Sequence, residues 1–176
     1  MLEHGEKAKL LGAGVAAITN AVMSCVESGD HIICVNDAYG CATKFIGTYL
    51  ARFGVEHTFV DGVESAAVLG AIKPTTKLIY LESPTSLTFA LQDIPAITQV
   101  ARARNIKTII DNSWATPFYC NPLDLGVDLV VHSASKYLGG HSDVVAGVIV
   151  GKKDDIDRII ETESLQFGAV ADPFMA

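Results

Sequence analysis

Clusters of positive charge are missing from this chain. It carries 13 Lys and Arg against 20 Asp and Glu, a net charge of −7, and no basic run is present. A nucleic-acid backbone would find no cationic face, so no nucleic-acid partner is expected. No apolar run approaches the roughly 18 residues a membrane span needs. Met1–Glu6 has no apolar core of the signal-peptide kind. The expectation is a cytoplasmic protein with no membrane partner. Cysteine is sparse too: Cys25, Cys34, Cys41 and Cys120 show no C-x-x-C spacing, which argues for reduced, buried thiols over a metal site or a disulfide framework. Internal repeats, low-complexity tracts and linkers are also absent.

What is present is apolar. Hydrophobic residues make up 49% and charged residues 19%, with mean hydropathy +0.33, the composition of a well-buried sheet or of a surface meant for another copy. A length of 176 residues fits one domain. Strands are predicted at His31–Asn36, Glu56–Val60, Lys77–Leu81, Lys107–Ile110, the run ending at Val131, and Val144–Val150. Helical spacing fills Gly14–Val26, Cys41–Phe53, Glu64–Ile72, Ile94–Ala103 and Asp154–Thr162. Met1–Leu11 shows no convincing strand. Six strands alternating with helices give an α/β class with a largely parallel sheet.

The most informative stretch is Val130–Gly140, V-V-H-S-A-S-K-Y-L-G-G. A β-branched run stops at two hydroxyls and a lysine, and a glycine pair turns the chain away. Ligands of open α/β sheets sit outside the carboxyl ends of strands, so Lys136, flanked by Ser133 and Ser135, faces that crevice. A lysine in a walled pocket loses its proton more easily and attacks carbonyls, which suggests imine chemistry. Asp111 ends a second apolar strand, where a buried carboxylate needs a cationic partner. Tyr39 precedes Gly40 at a third strand end, where its ring can lie against a planar ligand. Gly12-x-Gly14-x-x-Ala17 formally matches a dinucleotide fingerprint, with Asp37 about 20 residues on. That fingerprint requires a preceding strand, and Glu6-Lys7-Ala8-Lys9 reads poorly as one. A glycine-rich helix entry nevertheless offers free amides to any phosphate.

His132–Asp143, together with Gly12–Ala17, Tyr39-Gly40, Glu82–Ser86 and Asp111-Asn112, resembles the Cys/Met-metabolism enzymes that use pyridoxal phosphate, over nearly the whole chain. The resemblance implies the large cofactor-binding domain of the aspartate-aminotransferase-like fold (fold type I), a mixed, mostly parallel sheet with one antiparallel strand at Val145–Val150. It implies pyridoxal 5'-phosphate on Lys136, Asp111 at the ring nitrogen and Tyr39 stacked on the ring and active in proton transfer. Ser133, Ser135, Gly14 and Val15 would hold the phosphate. Residues 1–151 would form a partial large domain, and 152–176 a helix leading toward a smaller domain. Ser86, Leu87 and Trp114 resemble the cystathionine β-lyase branch, implying β-elimination of cystathionine. A γ-acting relative and a non-catalytic cofactor-binding fragment are the alternatives. The implied partners are a small sulfur-containing amino acid and further copies of the chain, a tetramer in the full-length family.

Overall fold

The computed structural model describes residues 2–174, so Met1 and the end of the predicted 152–176 segment lie outside the described residues. Seven strands form one sheet: β1 (Lys7–Leu11), β2 (His31–Val35), β3 (Glu56–Val60), β4 (Thr76–Glu82), β5 (Lys107–Asp111), β6 (Leu129–Ser133) and β7 (Gly147–Gly151). Their spatial order is β1-β7-β6-β5-β4-β2-β3. β2 through β6 pair in parallel, and β7 runs antiparallel to both β6 and β1. The predicted α/β class and the antiparallel strand near Val145–Val150 are both present.

The central strands read as continuous apolar runs because helices cover both of their faces. Ile32, Ile33, Leu78, Ile79, Ile109, Ile110 and Val130 are all fully buried. Each such side chain contributes about 1.5–3 kcal/mol relative to leaving it in water. The helices are α1 (Gly14–Met23), α2 (Gly40–Lys44), α3 (Ser65–Gly70), α4 (Ile94–Ala103), α5 (Thr116–Tyr119) and α6 (Lys153–Ile159). α2 continues as a wide turn over Phe45–Tyr49 and a tight one over Leu50–Phe53 before Gly54 ends it in a left-handed conformation, φ 78°. α4 starts where its sequence says it should: the Asp93 side chain accepts a hydrogen bond from the Ala96 amide, and Pro95 occupies the first turn. Ile156 and Ile159 of α6 join the common core, so this helix packs on the same sheet.

Two expectations are corrected. β1 exists, although its sequence alternates lysine with small or apolar residues; it is an edge strand whose pairing comes from β7, with Lys7 opposite Gly151 and Leu11 opposite Gly147. The strand missing from the dinucleotide reading is therefore there, but it lies at the sheet edge, antiparallel to its neighbour, and not at the centre of a parallel unit. Of the cysteines, all free, Cys34 is buried while Cys41 is exposed. An exposed position at the first turn of α2 gives Cys41 no apolar cover.

Candidate active site

Three neighbouring strand ends carry the polar residues. Glu82 is in register with Asp111 across β4 and β5, and Asp111 with Val131 across β5 and β6. Strands lie about 4.8 Å apart, so Glu82 and Asp111 stand side by side at the carboxyl edge of the sheet, with Ser133 two residues beyond the Asp111 partner Val131. Both acids end apolar strands, and both are buried, Glu82 at 5% and Asp111 at 6% exposure. Asp111 accepts a hydrogen bond from the Ser113 amide at 2.9 Å, and the Ser113 hydroxyl accepts one from the Ser133 amide at 2.7 Å. The turn after β5 is thereby fastened to the end of β6.

Tyr39 begins α2, and Glu82 fixes it there: Oε2 accepts from the Tyr39 amide at 2.6 Å, and Oε1 from the Ser86 hydroxyl at 2.5 Å. The structure brings Tyr39 and Lys136 together, with Nζ 5.0 Å from the ring centroid. A side-chain hydrogen bond and the charge of Cys41, then burial and the Asp111 carboxylate, push the Tyr39 phenol above its ordinary value. Tyr39 therefore keeps its proton at neutral pH. Lys136 departs from expectation in one respect. It lies three residues past β6, in a turn made by its own amide donating to the Ser133 carbonyl at 3.0 Å, and it is exposed instead of walled in. Residues 134–139 form turns, and 136–140 are exposed.

The phosphate side is built from close backbone approach. A Cβ on Gly14 would lie 2.8 Å from the Ser133 Cβ and 2.9 Å from its Oγ, and one on Gly147 would lie 2.1 Å from the Ala13 carbonyl oxygen. Glycine at both positions lets α1 begin directly on the ends of β6 and β7. The first turn of α1 has neither a side-chain cap nor an acidic residue, leaving the Gly14 and Val15 amides to an outside acceptor. The Ser133 hydroxyl faces Gly14. The Ser135 hydroxyl is paired with the backbone of Ala146, to its carbonyl at 3.2 Å and from its amide at 3.0 Å. Binding an anion through Ser135 thus requires exchanging those bonds. An unclaimed helix start, a hydroxyl, a lysine beside an aromatic ring and a buried carboxylate suit a planar, phosphorylated aldehyde with a basic ring nitrogen. Among the described residues no group of three or more His, Cys, Asp or Glu could hold a metal ion, and no helix is long and apolar enough to cross a membrane.

The model of the Cys/Met metabolism PLP-dependent enzymes matches residues 1–176. The chain belongs to that family. Its cofactor is pyridoxal 5'-phosphate, and the family's fold-type-I architecture is the one seen here. Over 160 residues the chain is 46% identical to an L-methionine gamma-lyase of Treponema denticola, covering 90% of this chain and 40% of that protein. It is 41% identical over 169 residues to the cystathionine beta-lyase MetC of Bacillus subtilis, covering 96% and 43%. A crystal structure of cystathionine gamma-lyase from Lactobacillus plantarum complexed with L-serine superposes with a TM-score of 0.92 at 45% identity, covering 99% of this chain and 45% of that one. The chain thus spans less than half the length of these PLP-dependent relatives.

Sequence alone assigns no role to Glu82 or Ser113. Glu82 ends its apolar strand as Asp111 does, so the same signal marks it; Ser113 carries no such signal. Burial, then the Asp111 charge, raises the Glu82 carboxyl above its ordinary 4.5 despite the hydrogen bonds from Ser86 and the Tyr39 amide. Between 4.5 and the raised value the folded state holds a proton that the unfolded chain has lost. Glu82's contribution to stability is therefore greatest below that window and falls as pH rises through it. In thermal melts, Glu82→Gln should gain on the parent protein as pH rises across the window. Parallel pH profiles would refute the assignment.

Proposed function

We propose that this site belongs to a pyridoxal-phosphate-dependent carbon–sulfur lyase that carries out β-elimination on cystathionine. The products are homocysteine, pyruvate and ammonia. The observation that carries the reading is Lys136 Nζ lying over the Tyr39 ring, at the strand ends that also present buried Asp111. When bound, the cofactor supplies an electron sink for the α-carbon of an amino acid. Lys136 would hold it covalently through Nζ, and the same amine, when free, would be the base for the substrate's α-proton. Asp111 would keep the ring nitrogen protonated, because a buried carboxylate favours a cation beside it. Ser133 and the amides of Gly14 and Val15 would bind the phosphate, joined by Ser135 once its bonds to Ala146 are exchanged. Tyr39 would lie against the ring and, protonated at neutral pH, would donate a proton to the departing sulfur.

The β-position is supported by Ser86, Leu87 and Trp114. Ser86 is hydrogen-bonded to Glu82, and Trp114 packs edge-on against Phe89 with centroids 5.6 Å apart. Leu87, Phe89 and Trp114 are all exposed, forming an apolar rim beside the turn after Asp111. A γ-elimination is the second reading, favoured by the 46% identity to a methionine γ-lyase and the 45% identity to a cystathionine γ-lyase. Exposed Tyr49, Phe53 and Phe167 fit assembly into a homo-oligomer. Cystathionine and methionine incubated separately with the cofactor-loaded protein distinguish the readings. Pyruvate with homocysteine from cystathionine is the expected result, and 2-oxobutyrate moves the bond cleaved to the γ-carbon. Cofactor trapped on Lys136 without any 2-oxo acid from either substrate reduces the chain to a binding fragment.

A further inference from the structure

Behind the row of site residues, on the opposite face of the sheet, lies a second polar group. The Glu3 carboxylate is 3% exposed, His132 is 1% exposed and Asn112 is fully buried. Glu3 Oε1 accepts from Asn112 Nδ2 at 2.7 Å and pairs with His132 Nε2 at 2.5 Å. Asn112 is the neighbour of Asp111, and His132 is the neighbour of Ser133. Side chains alternate across a strand, so Ser133 faces α1 while His132 points away from it. One carboxylate oxygen thus ties together the two strand ends whose adjacent residues face the site. The segment bearing it is itself fastened: Asn121 Nδ2 donates to the Leu2 carbonyl at 2.8 Å, and His4 Nδ1 pairs with Asp124 at 2.7 Å.

We infer that Glu3 is a positioning residue which, through Asn112 and His132, sets Asp111 and Ser133 at the spacing the cofactor requires. The inference rests on the cofactor assignment made above. On the site face, the Asp111–Ser113–Ser133 hydrogen bonds make the same connection, so the ends of β5 and β6 are clamped from both sides. A buried carboxylate has no reason to be here for stability alone. Its Oε2, Asn112 Oδ1 and His132 Nδ1 all lack a protein partner, and replacing all three residues by apolar ones would leave no such atom. What the Glu3 oxygen does is accept, at one atom, from two donors that sit at the ends of two different strands.

Glu3→Ala removes the clamp, Glu3→Asp keeps the charge but shortens the reach, and Glu3→Gln keeps an oxygen able to accept both bonds. Removing hydrogen-bond partners one layer behind a metal centre typically costs about 10- to 100-fold in affinity or activity. A loss of that order in pyridoxal-phosphate affinity is expected for Glu3→Ala and Glu3→Asp, with Glu3→Gln within about threefold of the parent. Because Asp111 governs the charge on the bound ring, the first two variants should also shift the pH midpoint of the bound cofactor's absorbance, and Glu3→Gln should restore it. Trp114, the chain's one tryptophan, stands three residues past Asp111 and reports on this turn without cofactor, so its emission should change in Glu3→Asp. Should Glu3→Ala fail to fold, Glu3→Asp carries the test. A lowered melting temperature with unchanged affinity, midpoint and Trp114 emission would make Glu3 merely structural and overturn the inference. Should the parent protein form no borohydride-stable adduct, the cofactor reading fails, and Trp114 emission in the cofactor-free protein decides alone: no change in Glu3→Asp overturns the clamp.

Discussion

Lys136→Ala is expected to abolish borohydride-stable attachment of pyridoxal phosphate completely, while reversible binding through the phosphate contacts persists. The argument is about which amines are available. Lys7 and Lys153 pair with Asp157, Lys73 pairs with Glu56, and Lys107 pairs with Asp128 and Asp155. For Lys107 burial acts to lower the pKa, but the hydrogen bond to Asp155 and the two carboxylate charges outweigh it and hold the ammonium above its usual range. Such an amine is a poor nucleophile. Lys9, Lys44, Lys77, Lys152 and Lys136 all lie outside the ion pairs found among the described residues, and of these Lys136 has an aromatic face beside it and stands at the strand ends of the site. Reduction followed by peptide mapping checks the prediction. A label on Lys107 in the parent protein, or an undiminished label in Lys136→Ala, would remove the central assignment.

The parts legible in sequence are those set by local pattern. Ile94–Ala103 begins and ends as expected because Asp93, Pro95 and the apolar spacing all agree. Strands β2, β4, β5 and β6 are runs too apolar to lie anywhere but the centre of a sheet. Asp111 stands out for the complementary reason: a charged residue ending such a run is out of place unless it meets something, whereas Lys136 follows its strand by three residues. The features that were missed depend on residues far apart in the chain. β1 is made a strand by β7, some 140 residues later, and nothing within Lys7–Leu11 announces it. Glu3 meets Asn112 and His132 across sequence separations of 109 and 129. The exposure of Lys136 was missed because a lysine after a strand reads the same whether or not another element covers it. Motif order told the family, and pairing geometry told how the strand ends are held together.

Asp111→Asn should separate cofactor retention from cofactor chemistry. The phosphate cradle at Gly14, Val15 and Ser133 and the attachment at Lys136 do not involve the Asp111 side chain, so binding should weaken only modestly. The Ser113 amide can still be accepted by an asparagine carbonyl, which preserves the link to Ser133. What disappears is the negative charge. Breaking a buried ion pair by neutralising one partner costs about 3–5 kcal/mol. At 1.36 kcal/mol per power of ten, α-proton exchange should slow by about two to nearly four orders of magnitude. Exchange of the α-proton of a bound amino acid with deuterated water measures this step without requiring turnover, alongside a binding titration on the same sample. Equal losses in exchange and in affinity would place Asp111 in cofactor binding alone, and unchanged exchange would remove it from the chemistry altogether.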